Sequence, residues 1–100
     1  MNIEQLLGTE IRSLCKIYNV RSLFAFGSVT RGDFNKDSDI DLVVDFNEDD
    51  PFRYTDLYFN LKRKLEDFLN RPVDLLEERA IKNRIFRQQI DLTKVKIYEN

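Results

Sequence analysis

Histidine is absent from the 100 residues of this chain. That absence removes Ser-His-Asp and Cys-His nucleophile systems, histidine-ligated zinc and histidine general bases, so any chemistry must rest on carboxylates. Cysteine occurs once, as Cys15. A lone cysteine excludes an internal disulfide framework, and its place on the apolar face of an expected helix reads as a small buried hydrophobe. No apolar run approaches the roughly eighteen residues that span a membrane. Residues 1–19 carry Glu4 and Glu10 and show helical periodicity instead of the continuous apolar block of a secretory signal, so a cytoplasmic protein is expected. Repeats, linkers and low-complexity segments are also missing.

What is present is an ordinary globular composition, with 42% hydrophobic and 34% charged residues. A chain of this length makes one domain, residues 1–100, that hides about two thirds of its unfolded surface and leaves no room for a second, substrate-binding domain. The formal charge of −2 conceals a lopsided layout. From Asp33 to Asp50 eight acids face one base, Lys36, whereas from Arg79 onward six bases face two acids. Such asymmetry can steer a charged partner, but a net acidic domain is a poor general binder of nucleic acid, and none is expected here.

Apolar periodicity predicts an amphipathic helix over residues 3–18, ended by Asn19, then a strand from Arg21 to Phe26 that stops at Gly27. Ser28 can cap a short helix running toward Gly32. A polar loop from Gly32 to Ser38 follows, and Ile40 to Phe46 form a strand with Asp39, Asp41 and Asp45 interleaved. Acids and Pro51 close that strand, and a long helix runs from Tyr54 to Leu69 until Asn70-Arg71-Pro72 breaks it. A short strand from Val73 to Leu76, a helix over 79–90 and an edge strand from Val95 to Tyr98 complete the chain. The order predicts an α/β (α+β) domain, a small sheet packed against helices.

Ten residues separate Gly27-Ser28 from Asp39-Ile40-Asp41, and that spacing carries the chemistry. A turn without a Cβ, followed by a hydroxyl, suits phosphate oxygens, and the dipole of the short helix that follows favours anions. Asp39 and Asp41 lie on one face of a strand, roughly 6.5 to 7 Å apart along the backbone. Their repulsion and desolvation cost stability without a counter-charge, which a divalent cation such as Mg²⁺ supplies. Asp74 is a charge in an otherwise apolar short strand. If that strand lies next to the Asp39 strand, three carboxylates converge and can hold two cations around a triphosphate and an incoming hydroxyl, with Asp74 accepting its proton. Arg31 can reach the same phosphates or pair with Asp33 or Asp37.

Rival motifs fail on particular residues. Gly27 to Gly32 has P-loop spacing, but Asp33 and Phe34 stand where Lys and Ser or Thr are required. An EF-hand register from Asp37 puts Leu42 at the glycine position. For either strand acid alone, a solvated strand face is the simpler reading; the combined pattern argues against it.

The segments Gly27-Ser28, Arg31-Gly32, Ser38-Asp39-Ile40-Asp41-Leu42-Val43-Val44 and Val73-Asp74-Leu75 resemble the nucleotidyltransferase superfamily that includes polymerase beta and kanamycin nucleotidyltransferase. More closely, nearly the whole chain resembles the minimal nucleotidyltransferases (MNT). The resemblance implies a polymerase beta-like core with a mixed sheet, metal ligation by Asp39, Asp41 and Asp74, and phosphate contact from Gly27 and Ser28. It also implies a partner, a small helical HEPN-type RNase toxin, which the MNT protein neutralises as an antitoxin by transferring AMP from ATP to a tyrosine. The alternatives are neutralisation by binding alone, or nucleotidyl transfer to a small molecule such as an aminoglycoside. Where relatives often have Asn-Pro, this chain has Asn83-Arg84.

Overall fold

The computed structural model describes residues 3–31 and 39–100, with the side chains of Ile3, Ser28 and Arg31 outside that description. The polar loop expected over 32–38, including Asp33 and Asp37, lies outside the described residues. A single helix over 3–18 does not form. Ile3–Leu7 make a 3-10 turn, and Gly8, in extended backbone (φ −77°, ψ 173°), is the N-cap of α1 (Thr9–Ile17). Glycine inside a helix costs about 1 kcal/mol relative to alanine, whereas at an N-cap it is favoured, which accounts for the break. Ile11 and Cys15 bury the inner stripe, and Asn19 takes the left-handed conformation (φ 58°) just past the helix end.

β1 (Val20–Phe26) leads into the four-residue α2 (Ser28–Arg31), and β2 (Ile40–Phe46) follows the polar loop. The acids before Pro51 start a helix as well as close the strand. Asp50 caps α3 (Pro51–Leu69) by accepting a hydrogen bond from the Phe52 N–H at 2.9 Å, and Pro51 stands at the first helical position, where its missing N–H is no loss. Left-handed Asn70 (φ 56°) ends the helix.

After β3 (Val73–Glu77) the expected helix over 79–90 is replaced by a 3-10 turn at Glu78–Ala80, an extended stretch, and α4 (Arg84–Thr93). Asn83 is responsible: its Oδ1 accepts the Phe86 N–H at 2.9 Å and begins the helix there. Apolar spacing through Ile81 and Ile85 had read across that cap. Arg84 occupies the first helical position, the one proline prefers, so Asn83-Arg84 keeps the capping role of an Asn-Pro pair. β4 (Val95–Glu99) closes the chain as an edge strand.

Among the described residues, four strands form a mixed sheet in the order β3-β2-β1-β4, with β1 antiparallel to β2 and β4, and β2 parallel to β3. Alternation along each strand divides its side chains between two faces. On one face Leu23, Ala25, Leu42, Val44 and Phe46 pack with Ile11 of α1 and Leu61 and Leu65 of α3, all 0% exposed. Each fully buried Leu, Ile or Phe contributes about 1.5–3 kcal/mol of hydrophobic stabilisation, so this face holds most of the core. The other face carries Phe24, Phe26, Asp41, Val43 and Asp45, and α4 lies across part of it with Ile90 buried. Among the described residues, no helix is long and apolar enough to cross a membrane.

Candidate active site

β2 and β3 bring two of the predicted acids side by side. In the parallel register Asp41 is the direct partner of Asp74, flanked by the pairs Ile40–Val73 and Leu42–Leu75. Those flanking residues are buried in the core, so alternation turns both carboxylates to the opposite, α4-bearing face. Asp39 stands one residue before β2, exposed, and two before Asp41. Asp74 is exposed and Asp41 half-buried.

Across β2 from Asp74, Phe26 is the antiparallel partner of Asp41, so Phe26, Asp41 and Asp74 form one row over three strands. Gly27, directly after Phe26, has φ +73°. A Cβ built there collides with the Asp41 Oδ2 and lies 3.3 Å from the Asp41 Cγ, so the carboxylate rests against the glycine backbone in space a side chain would fill. The turn is held by Thr30, whose N–H and Oγ1 both donate to the Gly27 carbonyl, at 3.0 and 2.8 Å. Backbone of the predicted phosphate turn and carboxylate of the predicted metal strand are therefore in contact. The side chains of Ser28 and Arg31 lie outside the described residues.

Among the described residues, no three His, Cys, Asp or Glu side chains are grouped tightly enough to hold a metal ion by themselves. The donor set is nonetheless all oxygen, with two register-paired acids and a third just upstream. It fits Mg²⁺, a hard cation that uses one or two carboxylates and completes its octahedron with water and substrate phosphate, not a protein cage.

Asp45, on the same strand face, is engaged elsewhere. Its Oδ1 accepts from the Arg79 Nη2 at 2.9 Å and Nε at 3.1 Å, and Arg21 lies 3.9 Å from its other oxygen. Arg79 also donates to the carbonyls of Phe46 and Glu48 and lies 4.2 Å over the Tyr54 ring. Partial burial works against its charge, but the Asp45 hydrogen bond and carboxylate prevail and raise the guanidinium pKa. Among the described residues the buried Tyr54 hydroxyl has no hydrogen-bond partner of good geometry, and burial, then the Glu77 charge, push it up to about 12. Burial also raises the Cys15 thiol to about 12, so it is no nucleophile at neutral pH.

Sequence reasoning missed Arg79, the clasp between the β3–α4 connection and β2, and it missed the α4 wall. Arg79 sits in a basic run with no spacing to its acid that a sequence reading could use. The wall had a signal in the Asn83 cap. Phe86 of α4 stands edge-to-face on Phe26, with ring centroids 6.3 Å apart and 78° between planes. Arg87 binds the Glu78 carboxylate at 2.7 Å and the carbonyls of Glu78 and Ile81, fixing the start of the helix.

The sequence profile of the nucleotidyltransferase domain matches residues 9–99. A protein of Methanocaldococcus jannaschii named as a candidate protein adenylyltransferase is 33% identical over 89 residues, 89% of this chain and 88% of its own length. The protein adenylyltransferase MntA of Thermococcus cleftensis is 34% identical over 83 residues, 83% of this chain and 81% of its own. A solved structure described as a candidate minimal nucleotidyltransferase superposes with a TM-score of 0.73 at 33% identity, covering 95% of both chains. The same fold recurs in a toxin-antitoxin complex with AMP-PNP (TM-score 0.70, 23% identity, 91% of this chain and 72% of that one). It recurs again in a tri-AMPylated Shewanella oneidensis HEPN toxin complexed with MNT antitoxin (TM-score 0.65, 22% identity, 97% and 73%).

Proposed function

The chain belongs to the nucleotidyltransferase domain family, and from that premise we propose that it is a Mg²⁺-dependent protein adenylyltransferase that moves AMP from ATP to a tyrosine of a HEPN-type toxin, acting as its antitoxin. One observation carries the reading: Asp41 pairs in register with Asp74 while its carboxylate lies against the Gly27 turn. An α-phosphorus beside Asp41 then has a phosphate turn on its β1 side and a carboxylate on its β3 side, the two ends that an in-line displacement needs.

In this reading the acceptor oxygen attacks the α-phosphorus, the bond to pyrophosphate breaks, and the hydroxyl proton passes to Asp74. Asp39, Asp41 and Asp74 hold two Mg²⁺ ions, which when bound lower the hydroxyl pKa and offset charge on the phosphoryl oxygens. Gly27 and Ser28 contact the β- and γ-phosphates; Arg31 is one turn farther on. Support for a protein acceptor comes from relatives named protein adenylyltransferases, and support for the toxin partner from the complexes that share the fold. The test is intact-mass spectrometry of the coexpressed pair with ATP and Mg²⁺. Addition of AMP to the toxin, lost with Asp41→Asn, is expected; an unmodified toxin in a formed complex would exclude this mechanism. Neutralisation that survives Asp41→Asn would instead assign the protection to binding alone.

A further inference from the structure

We propose that the groove between α4 and the Phe26–Gly27 turn is the nucleoside subsite of the triphosphate substrate, with Phe86 as the face on which the base lies and Gln89 as the group that reads it as adenine. The inference rests on the function proposed above and adds to it the residues that select the base. A groove of about 430 Å³ is lined by Phe26, Gly27 and Asp41 on the sheet side and by Phe86, Gln89, Ile90 and Thr93 on α4. That volume lies within the range of small-ligand sites and is ample for a nucleoside. Continuity with the phosphate end decides the occupant. The α-phosphorus placed beside Asp41 carries the ribose and base, and this groove is lined by Asp41 itself as well as by the turn that takes the outer phosphates.

The lining chemistry fits a purine. Phe26 and Phe86 meet edge-to-face, and Phe86 keeps 38% of its surface exposed, so the slot is aromatic and has ring surface left to cover. Buried Ile90 closes the groove on the helix side. Gln89, exposed on the rim, carries a donor and an acceptor on one carboxamide. Adenine offers the matching pair, N6–H and N7, where guanine offers two acceptors, N7 and O6. The wall is also preorganised. Asn83 fixes the Phe86 N–H, and Arg87 ties α4 to the Glu78 carboxylate and the carbonyls of Glu78 and Ile81.

Titration calorimetry with Mg²⁺ and three probes tests this: α,β-methylene-ATP, α,β-methylene-GTP and inorganic tripolyphosphate. Phe86→Leu, which keeps apolar bulk without a π-face, should weaken the ATP analogue about tenfold, as loss of base stacking does elsewhere, and leave tripolyphosphate unchanged. Gln89→Ala, a surface change that does not threaten folding, should reduce the preference for the ATP over the GTP analogue about fivefold or more. Phe52→Ala, at an 84% exposed position on α3, should alter neither. If both α4 variants bind the ATP analogue as the parent does while tripolyphosphate still binds, the nucleoside subsite is overturned and the phosphate site stands. If the parent protein binds none of the three probes, the proposed function itself fails.

Discussion

Asp41 and Asp74, far apart in sequence, are direct register partners on the parallel β2–β3 pair. Parallel pairing requires a crossover, and α3 supplies it, so the long helix that builds the core also returns the chain to the edge where β3 places Asp74 beside Asp41. Asp41→Asn keeps the size and register of the side chain while removing the charge. AMP transfer should fall by roughly two to three orders of magnitude, as when one preorganised electrostatic group is lost from an active site. Chelation of divalent ions by EDTA should abolish transfer in the parent protein while its far-ultraviolet circular dichroism is unchanged. A variant with full transfer activity would remove Asp41 from the chemistry.

Gly27→Ala should be costly in two ways. A left-handed residue with a Cβ costs about 1–2 kcal/mol, and here that Cβ also meets the Asp41 carboxylate. Urea denaturation should show a loss of about 1–3 kcal/mol, and transfer activity should fall beyond what the unfolded fraction explains, because Asp41 is displaced. Gly8→Ala is the comparison. Its φ of −77° is open to any residue, so it should cost less than about 1 kcal/mol and leave activity intact.

Most of this architecture was legible in the chain. Interleaved acids in Ile40–Phe46 marked one strand and a lone charge in the apolar run Val73–Leu76 marked another, which the fold extends to Glu77, and the Gly27-Ser28 to Asp39-Ile40-Asp41 spacing marked the turn and strand that the fold brings into contact. The failures were at boundaries, where one polar side chain outweighs periodicity. Asn83 starts α4 inside an apolar pattern that runs on through it, and Gly8 divides a stripe that Leu6 and Ile11 continue on either side. Arg79 was out of reach for a different reason. Its partner Asp45 is defined by the packing of the β3–α4 connection on β2, which no local pattern encodes.

Arg79→Ala should destabilise the fold more than a surface arginine ordinarily does. It removes two hydrogen bonds to Asp45, two to backbone carbonyls and the guanidinium lying over Tyr54. Allowing for solvent screening of a side chain 40% exposed, a loss of about 1–3 kcal/mol is expected in chemical denaturation. Arg79→Lys should recover less than half, because an ammonium cannot span the carboxylate and the two carbonyls together. If the lysine variant equals the parent, charge alone matters and the forked geometry does not.

Alkaline stability should fall earlier than in a domain whose tyrosines are all exposed. Tyr54 is raised from 10.0 to about 12, by burial first and then by the Glu77 charge, and buried Cys15 from 9.0 to about 12. Below the lower values both states hold these protons, and stability is independent of them. Between about pH 9 and pH 12 the unfolded chain releases protons that the folded chain retains, so ΔG of unfolding decreases as pH rises. Tyr54→Phe removes the tyrosine share of that slope. At neutral pH it should cost little, because among the described residues the buried hydroxyl has no hydrogen-bond partner of good geometry. Denaturant midpoints measured from neutral to strongly alkaline pH should therefore fall less for the variant than for the parent: close together near neutrality, with the phenylalanine protein the more stable above about pH 10. Parallel curves throughout would mean that Tyr54 ionises alike in both states.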